Sequence, residues 1–377
     1  MSENERQGLK GARRVVVKVG TRVLTHPEGG ISLSRLAGIV EEIVRLKTAG
    51  AEVILVSSGA VGLGRRQLGY TTTPNALGLR QAFAAVGQSR LMSLYQDAFA
   101  VSSVICAQVL LTEEDFHERT RCLNLRRTLA TLLEHGVVPV INENDVVSVQ
   151  ELAVHESHGK PVFGDNDRLS ALVASEIGCD LLVILTDVAG LFDRDPRNDP
   201  SAKRISRVDD LDSVAASIGG SVSGVGRGGM RTKVDAAVVA ARSGCHAVIA
   251  SGLTPGALAR VLAGEDEGTW FPRSQALSAR HRWIAFATRS SGALHLDAGA
   301  VKALTERGAS LLAAGITGVD GAFEAGAVVE LRGPDKALVG RGVSEVDSEW
   351  IGRWLGGERG ADRKHLVVHR NDMVVEP

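Results

Sequence analysis

The chain has 377 residues, of which 44% are hydrophobic, and a formal net charge of −1. This length allows two or three domains with apolar cores, and the near-zero charge argues against a chain-wide role in binding nucleic acid or membranes. No run approaches the ~20 apolar residues of a membrane helix. The segment from Met1 to Arg14 lacks the apolar core of a signal peptide, so we expect a cytoplasmic protein.

Strands and helices alternate through the first two-thirds of the chain. Short, continuously apolar runs predict buried strands, and apolar residues at helical spacing predict the helices between them. The predicted strands cover 15–19, 53–56, part of 101–111, 137–141, 181–185 and 246–250. The predicted helices cover 33–47, 77–100, 120–135, a segment from Leu169 onward and 234–243. This alternation predicts an α/β domain with an open, mostly parallel sheet sandwiched by helices.

The pattern changes near Gly264, where the sequence becomes charged and rich in turn residues. We therefore predict a first domain over 1–264, a linker over 265–280 and a small, mostly β domain over 281–377. Within this last domain, the predicted strands cover 283–286, 293–296, 327–331, 338–343 and 366–370, and the predicted helices cover 298–306 and 347–355.

The cysteines give no sign of a metal or disulfide framework. Cys106, Cys122, Cys179 and Cys245 are far apart in sequence, and none forms a C-x-x-C pair. This spacing predicts isolated buried thiols in a reducing compartment rather than disulfides or a zinc site.

Two stretches rich in Asn and Asp, at 140–145 and 163–167, carry the strongest functional signal. The first follows a predicted strand and the second opens a predicted helix. Open α/β sheets place their ligands at such strand and helix ends. Amide donors, carboxylate acceptors and free helix N–H groups together suit a small zwitterion such as an amino acid.

Several features indicate phosphate binding. Lys18 ends an apolar strand and precedes Gly20. This position of Lys18 fits either a cation for phosphate oxygens or a lysine that reaches the edge of the sheet. The turn at 57–64 contains three glycines after a strand, a pattern that ordinary strand–helix turns share. The Gly-rich segment 221–233 leads into a helix, and Lys233 at that helix start opposes the helix dipole, which suggests a phosphate partner.

The glycine pattern at 224–229 matches G-x-G-x-x-G, but no strand precedes it and no acidic residue ends the next strand, so we reject a dinucleotide site. The chain also has no G-x-x-x-x-G-K-[ST] motif. Thr186 and Asp187 follow a predicted strand and fit either nucleotide contact or a turn cap. His155 and His158 favour a surface loop over a metal pair.

These motifs resemble, in order, those of the glutamate 5-kinase branch of the amino-acid kinase family. The shared segments are Lys18-Val19-Gly20-Thr21, Ser57-Ser58-Gly59-Ala60, Val86-Gly87-Gln88, Ile141-Asn142-Glu143-Asn144-Asp145, Gly164-Asp165-Asn166-Asp167, Thr186-Asp187 and Gly228-Gly229-Met230 with Thr232-Lys233. The match covers essentially the whole chain, and the C-terminal part resembles a PUA domain.

The resemblance implies transfer of phosphate from ATP, with Mg²⁺, to the γ-carboxylate of L-glutamate, the first step of proline biosynthesis. It implies catalytic roles for Lys18, Asp167 and Lys233, and glutamate contacts for Ser58, Gly59, Asp145 and Asn166. The ATP-binding positions that it implies are Lys18, Thr186, Asp187, Arg227, Gly228, Gly229, Met230, Arg231, Thr232 and Lys233. No metal-binding residue is assigned. Arg227, Arg231 and the length of the 151–161 segment depart from the common family pattern.

The resemblance also implies inhibition by proline, a homo-oligomer, and glutamyl phosphate reductase, the next enzyme, as a partner. One alternative is a related kinase acting on N-acetylglutamate, aspartate or carbamate, although Asp145 favours a substrate with a free ammonium. The other is RNA binding through the C-terminal domain. Residues 280–377 contain 13 Lys and Arg against 13 Asp and Glu, a balance that gives no basic surface for RNA.

Overall fold

The computed structural model describes residues 5–26, 30–72, 76–147, 166–196, 198–211, 213–214, 229–274, 277–287, 290–357 and 365–375. The chain forms two compact units. One comprises Met1–Asp115 and Arg119–Ala276, and the other comprises Phe116–Glu118 and Leu277–Pro377. Among the described residues, no helix combines the length and the apolar character needed to cross a bilayer.

The first unit is built on one seven-stranded sheet. Its strands are β1 (Arg14–Val19), β2 (Glu52–Ser57), β3 (Cys106–Leu111), β4 (Val138–Glu143), β5 (Leu181–Thr186), β6 (His246–Ser251) and β7 (Thr269–Phe271). Their order is β3-β4-β2-β1-β5-β6-β7, and only β7 is antiparallel to its neighbour. The mostly parallel sheet predicted from the sequence is therefore confirmed.

Helices connect these strands. They are α1 (Thr21–Leu24), α2 (Leu33–Thr48), α3 (Ala60–Gln67), α4 (Leu77–Ala100), α5 (Glu114–His117), α6 (Arg119–Glu134), α7 (Asn166–Ile177), α8 (Gly229–Arg242) and α9 (Ala257–Leu262). Every residue of β5, and every residue of β1 after Arg14, is buried. Such uninterrupted burial requires that both faces of the central strands are covered, and it explains their continuous apolar sequences.

Helices α3 and α4 touch backbone to backbone. A Cβ atom added at Gly64 would lie 1.8 Å from the Phe83 carbonyl oxygen, and one added at Gly87 would lie 1.8 Å from the Ala60 carbonyl oxygen. Only glycine allows this approach. The contact fixes Gln88, the residue after Gly87, relative to the turn that joins β2 to α3.

The prediction of a linker over 265–280 is wrong for Thr269–Phe271, which forms the antiparallel edge strand β7. The turn before this strand is held by Arg6, whose guanidinium donates to the carbonyl oxygens of Glu265 (2.9 Å), Glu267 (2.7 Å) and Gly268 (3.2 Å). A charged, turn-rich sequence becomes ordered here because a residue some 260 positions away supplies the donors.

His246 makes the stability of this unit depend on pH. Burial, helped by the positive charge of Arg273, lowers the pKa of His246 to about 4, and its Nδ1 atom accepts from Trp270 Nε1 (3.3 Å) and the Arg273 amide (3.1 Å). The unfolded chain takes up this proton near pH 6.5 and the folded chain only near pH 4, so protons favour unfolding between these values. As the pH falls from about 6.5 to about 4, we expect the free energy of unfolding to fall by about 1–2 kcal/mol, after allowance for the ring's partial exposure.

The measurement is denaturant unfolding at several pH values within that window. His246→Asn keeps an acceptor near the Nδ1 position but does not titrate, so its curve should lack this component. An unchanged pH dependence in the variant would contradict the assignment.

The second unit is a six-stranded sheet with two longer helices. Its strands are β8 (Gly292–Leu296), β9 (Leu311–Leu312), β10 (Ile316–Asp320), β11 (Val328–Arg332), β12 (Leu338–Ser344) and β13 (Leu366–Val375), in the order β10-β8-β11-β12-β13-β9. The helices are α10 (Ala279–Arg282), α11 (Ala298–Arg307) and α12 (Ser348–Leu355). Asp297 and Asp347 cap α11 and α12 by accepting from backbone amides three residues ahead, each at 2.7 Å.

The strand predicted over 283–286 is wrong. Trp283–Ala287 is a π-helix that continues directly from α10. Trp283 and Ile284 are adjacent and both buried, whereas a strand with one covered face would expose one of them. Ser278 starts the helical segment, because its hydroxyl accepts from the His281 amide at 3.2 Å.

The prediction that all four cysteines are isolated is also wrong. All four are free thiols, but the sulfur atoms of Cys179 and Cys245 lie 2.6 Å apart. Their separation in sequence conceals that both lie just before adjacent parallel strands: Cys179 is two residues before β5, and Cys245 is one residue before β6.

Candidate functional site

Four neighbouring parallel strands bring the predicted site residues to one edge of the sheet. The strands lie in the order β4-β2-β1-β5. Asn142 lies near the C-terminal end of β4, Ser58 follows β2, Lys18 lies near the end of β1, and Thr186 ends β5. Carboxyl ends of parallel strands meet at the same edge, where open α/β sheets bind ligands.

Asp167 lies between two lysines. Lys18 Nζ is 2.5 Å from Asp167 Oδ1, and Lys233 Nζ is 2.9 Å from Asp167 Oδ2. Asp167 is 0% exposed and Lys18 is 3% exposed, so the charges are balanced by one another and not by water. Burial alone would raise the pKa of Asp167, but the two ammonium groups outweigh it and hold this pKa below its usual value. The cluster therefore carries one carboxylate and two cations, an excess of positive charge that suits an anion.

The N-termini of α7 and α8 meet at this cluster. Asp167 lies in the first turn of α7, Thr232 lies in the first turn of α8, and Lys233 begins the second turn of α8. Thr232 donates to Asp167 Oδ2 at 2.8 Å, and Lys233 also donates to the Gly229 carbonyl oxygen at 2.9 Å. The charge of Lys233, which opposes the helix dipole, is thus compensated by Asp167. The first N–H groups of both helices, which have no carbonyl partner within their own helix, lie at this end of the sheet.

Amide side chains form a chain of hydrogen bonds beside the charged cluster. Gln88 Oε1 accepts from Asn142 Nδ2 (2.7 Å), and Asn142 Oδ1 accepts from Asn166 Nδ2 (2.9 Å). The same Asn166 nitrogen donates to Ser58 Oγ at 3.0 Å. Asn166 Oδ1 is buried and has no hydrogen-bond partner among the described residues. An acceptor in this position is suited to an ammonium or amide donor on a ligand.

Gln88 belongs to this chain of hydrogen bonds but is not among the site residues predicted from the sequence. Gln88 lies in one of the segments shared with the family, but helical spacing alone does not show that α4 reaches the end of β4. The signal lies in Gly87, whose contact with Ala60 brings α4 close to the turn after β2. Gly59 in that turn has φ +109°, a left-handed conformation that favours glycine.

Gly20 lies directly after β1 and close to the Lys18 ammonium. Its N–H donates to the Leu185 carbonyl oxygen at 3.0 Å, so this amide is already bound. A Cβ atom added at Gly20 would lie 3.7 Å from Lys18 Nζ and 3.4 Å from the Leu185 oxygen. Glycine at this position therefore leaves space beside the lysine.

Thr186 and Asp187 lie at the end of β5, next to the loop that follows β1. Thr186 Oγ1 donates to Asp187 Oδ1 at 3.1 Å, and Arg22 donates to Asp187 Oδ2 at 3.0 Å. Although partial burial raises the pKa of Asp187, the hydrogen bonds, first among them that from Arg22, bring it below its usual value. Arg22 was not among the predicted residues, because nothing in sequence pairs it with Asp187.

Of the remaining predicted residues, the structure describes Asp145, Met230 and Arg231 but not Arg227 and Gly228. Asp145 is half-buried in the turn after β4, and Met230 is half-buried in the first turn of α8. Arg231 points along α8, with Nε 3.8 Å from Asp235 Oδ2, and takes no part in the lysine–aspartate cluster. Arg227 and Gly228, and the 151–161 and 163–165 segments, lie outside the described residues.

Comparisons with known proteins agree with this architecture. A sequence model of the amino acid kinase family matches residues 13–251, and one of the PUA domain matches residues 292–362. The glutamate 5-kinase of Trichlorobacter lovleyi is 44% identical, with 97% of this chain and 98% of that protein covered. The glutamate 5-kinase of Synechococcus sp. is 46% identical, with 96% and 98% covered.

Among solved structures, carbamate kinase from Giardia lamblia bound to AMP-PNP superposes with a TM-score of 0.50 at 16% identity. It covers 70% of this chain and 100% of that one. At this identity the likeness concerns the fold alone, and it agrees with the α/β architecture of the first unit.

Proposed function

Because this chain belongs to the amino acid kinase family, and within it to the glutamate 5-kinases, we propose that it transfers the γ-phosphoryl group of ATP to the γ-carboxylate of L-glutamate. The product is glutamyl 5-phosphate, the first intermediate of proline biosynthesis. The observation that carries this proposal is the Lys18–Asp167–Lys233 cluster, which directly adjoins the buried acceptor of Asn166.

The chemistry requires cations more than it requires a base. A carboxylate is already a nucleophile, but it must approach a phosphoryl group that is also negative. We assign Lys18 and Lys233 to the oxygens of the transferring group, where fixed positive charge stabilises the transition state. Asp167 holds both lysines in place before the reaction, so little reorganisation is needed.

ATP and Mg²⁺ are the cofactors of this proposal. The excess positive charge of the cluster and the N-terminal N–H groups of α7 and α8 fit ATP phosphates, and Mg²⁺ would reduce the negative charge of these phosphates. We assign the nucleotide to the side of the site formed by Thr186, Asp187 and the segment 227–233. Among the described residues, no cluster of three or more His, Cys, Asp or Glu side chains could hold a metal ion.

The glutamate pocket in this proposal consists of Ser58, Gly59, Asn166 and Asp145. Ser58 and Asn166 are already hydrogen-bonded to each other at 3.0 Å. The acceptor Asn166 Oδ1 and the carboxylate of Asp145 suit the α-ammonium group, which has three donors to satisfy. A free ammonium is the feature that separates glutamate from N-acetylglutamate.

Asp145→Ala should act mainly on glutamate binding. Loss of a charge-assisted contact to the ammonium should raise the KM for glutamate about tenfold or more, while the KM for ATP stays close to its original value. Steady-state kinetics with each substrate varied in turn gives both constants. An unchanged KM for glutamate would remove Asp145 from the pocket.

Gln88→Leu should also weaken glutamate binding, although Gln88 touches the pocket only through Asn142. Without the Gln88 acceptor, the buried Asn142 amide loses its partner and no longer fixes the orientation of Asn166. We expect the KM for glutamate to rise about tenfold. Gln88→Glu restores an acceptor and should stay within a few-fold of the original enzyme, whereas equal defects in both variants would contradict a positioning role.

Proline, like glutamate, combines an ammonium and a carboxylate, so the acceptors around 142–167 could also receive it. We therefore propose that proline inhibits the enzyme by competing for this pocket.

Acyl phosphates are reactive, and we propose glutamyl phosphate reductase as the partner that consumes the product. A homo-oligomer through the first unit is also proposed; its edge strand β3 and the residue before it expose Leu110 and Ile105.

The test is formation of an acyl phosphate that depends on ATP and Mg²⁺, trapped with hydroxylamine. L-Glutamate, N-acetylglutamate and L-aspartate are compared, each with and without proline. Turnover confined to L-glutamate and suppressed by proline would support the whole proposal. Turnover on another acid would support the phosphate site and reassign the pocket to that acid. No turnover on any acid would refute the proposed reaction and favour the alternative of RNA binding by the second unit.

A further inference from the structure

Cys179 and Cys245 form a pair of buried thiols that the proposed reaction does not use. Their sulfur atoms are 2.6 Å apart, only about half an ångström more than a disulfide bond. Cys179 is 4% exposed and Cys245 is 1% exposed. Cys106 and Cys122 make no such contact: the Cys122 thiol donates to Glu176 Oε2 at 3.2 Å, and Cys106 is half-buried on β3.

Two matching helix ends hold these thiols together. Helix α7 ends at Ile177 and is followed by Gly178, with φ +62°, while α8 ends at Arg242 and is followed by Ser243 and then Gly244, with φ +93°. The Cys179 amide donates back to the Ala174 carbonyl oxygen, and the Cys245 amide donates back to that of Ala240, each at 3.0 Å. These bonds are typical of helix C-terminal caps, so the backbone around both sulfur atoms is fixed.

The same two helices carry the charged cluster at their other ends. Asp167 lies in the first turn of α7 and Lys233 at the start of the second turn of α8, and the helices pack against each other. A covalent link between Cys179 and Cys245 would therefore join the C-terminal ends of the two helices whose N-terminal ends build the site.

We propose that Cys179 and Cys245 are an oxidisable dithiol that closes to a reversible intramolecular disulfide when the protein meets a peroxide. The Cys179 sulfur loses its proton and attacks one peroxide oxygen, the O–O bond breaks, and the hydroxide that leaves takes up a proton as water. The resulting sulfenic acid is attacked by the Cys245 sulfur, which loses its proton as the S–O bond breaks, and a second water leaves. In sum, two thiols and one hydrogen peroxide give one disulfide and two water molecules.

The assignment of the two roles follows from burial. Desolvation, together with the neighbouring Cys179, raises the pKa of the Cys245 thiol well above its usual value, so Cys245 remains protonated until a partner sulfur is activated beside it. Cys179 has the larger exposed fraction of the two. Hydrogen peroxide is small enough to reach a sulfur atom that a bulky disulfide reagent would not reach.

The disulfide should be visible in stability as well as in mass. It would close a loop between cysteines 66 positions apart, and cross-links of this span stabilise mainly by restricting the unfolded chain. We expect the thermal midpoint of the first unit to rise by several degrees after oxidation and to return after treatment with dithiothreitol.

The experiment uses the full-length, unsubstituted chain treated with hydrogen peroxide under native conditions. Expected are the loss of two hydrogen atoms in the intact mass and one cross-linked peptide pair that contains Cys179 and Cys245, both reversed by dithiothreitol. Cys106→Ser should behave in the same way, whereas Cys245→Ser should give no cross-link. Recovery of both thiols unmodified after unfolding, or stable sulfinic acid on one of them without a cross-link, would overturn the proposal. The result on the unsubstituted chain does not depend on whether any variant folds, and it is independent of the substrate.

Discussion

Lys18→Ala should lower turnover at least about a hundredfold, because it removes a fixed cation from the transferring phosphoryl group. Lys18 is almost fully buried at the end of β1, between β2 and β5, and its ammonium is 2.5 Å from Asp167. Lys233, the second lysine that contacts Asp167, lies on α8 and also donates to the Gly229 carbonyl oxygen. It therefore cannot take over the position of Lys18.

The measurement is single-turnover or steady-state phosphoryl transfer, together with denaturant unfolding of the same sample. In the variant, Asp167 keeps Lys233 and Thr232 as partners, so the fold should persist with moderate loss of stability. Lys302→Ala is the matched control, since Lys302 is exposed on α11 and makes only a long 3.9 Å pair with Glu306. A Lys18→Ala protein that is folded and retains near-normal turnover would exclude Lys18 from the mechanism.

Asp167→Asn should damage both activity and stability. The variant keeps the size of the side chain but leaves two ammonium groups, one of them almost fully buried, without the anion that balances them. Breaking a buried charge pair from one side costs about 3–5 kcal/mol. We expect turnover to fall by about a hundredfold or more, because both lysines lose the group that orients them.

The pH dependence provides a second test of Asp167. The folded-state pKa of this carboxyl group is below its usual 3.8, so its stabilising effect is complete above that value and is lost as the pH falls through the folded-state pKa. In acid, the free energy of unfolding of the unsubstituted chain should lose the contribution of ionised Asp167. The Asp167→Asn variant lacks this contribution at every pH. Asp209→Asn is the control, because Asp209 is an exposed residue paired with Arg207 at 2.5 Å. Equal acid sensitivity of the original chain and Asp167→Asn would contradict the assignment.

Periodic apolar patterns predicted the architecture because burial alone determines them. The runs at 15–19 and 181–185 are apolar throughout, since the strands β1 and β5 are covered on both faces. The long helix α4 begins and ends where its pattern predicts, at Leu77 and Ala100. Errors occurred where a distant contact determines the local structure, as for Thr269–Phe271, which Arg6 and β6 hold in place.

Sequence patterns alone identify the residue types that meet a ligand: the strand-end Lys18, the Asn and Asp stretches, and the helix-start Lys233. Their chemistry is costly to bury without a partner, so their presence beside apolar runs already signals a site. The tertiary structure alone decided their partners. It placed Asp167 between two lysines, connected Gln88 to Asn166 through Asn142, and brought Cys179 within 2.6 Å of Cys245. These contacts join residues 24 to 149 positions apart along the chain, counted from the residue numbers, and no local pattern encodes such pairings, because they depend on strand order and helix packing.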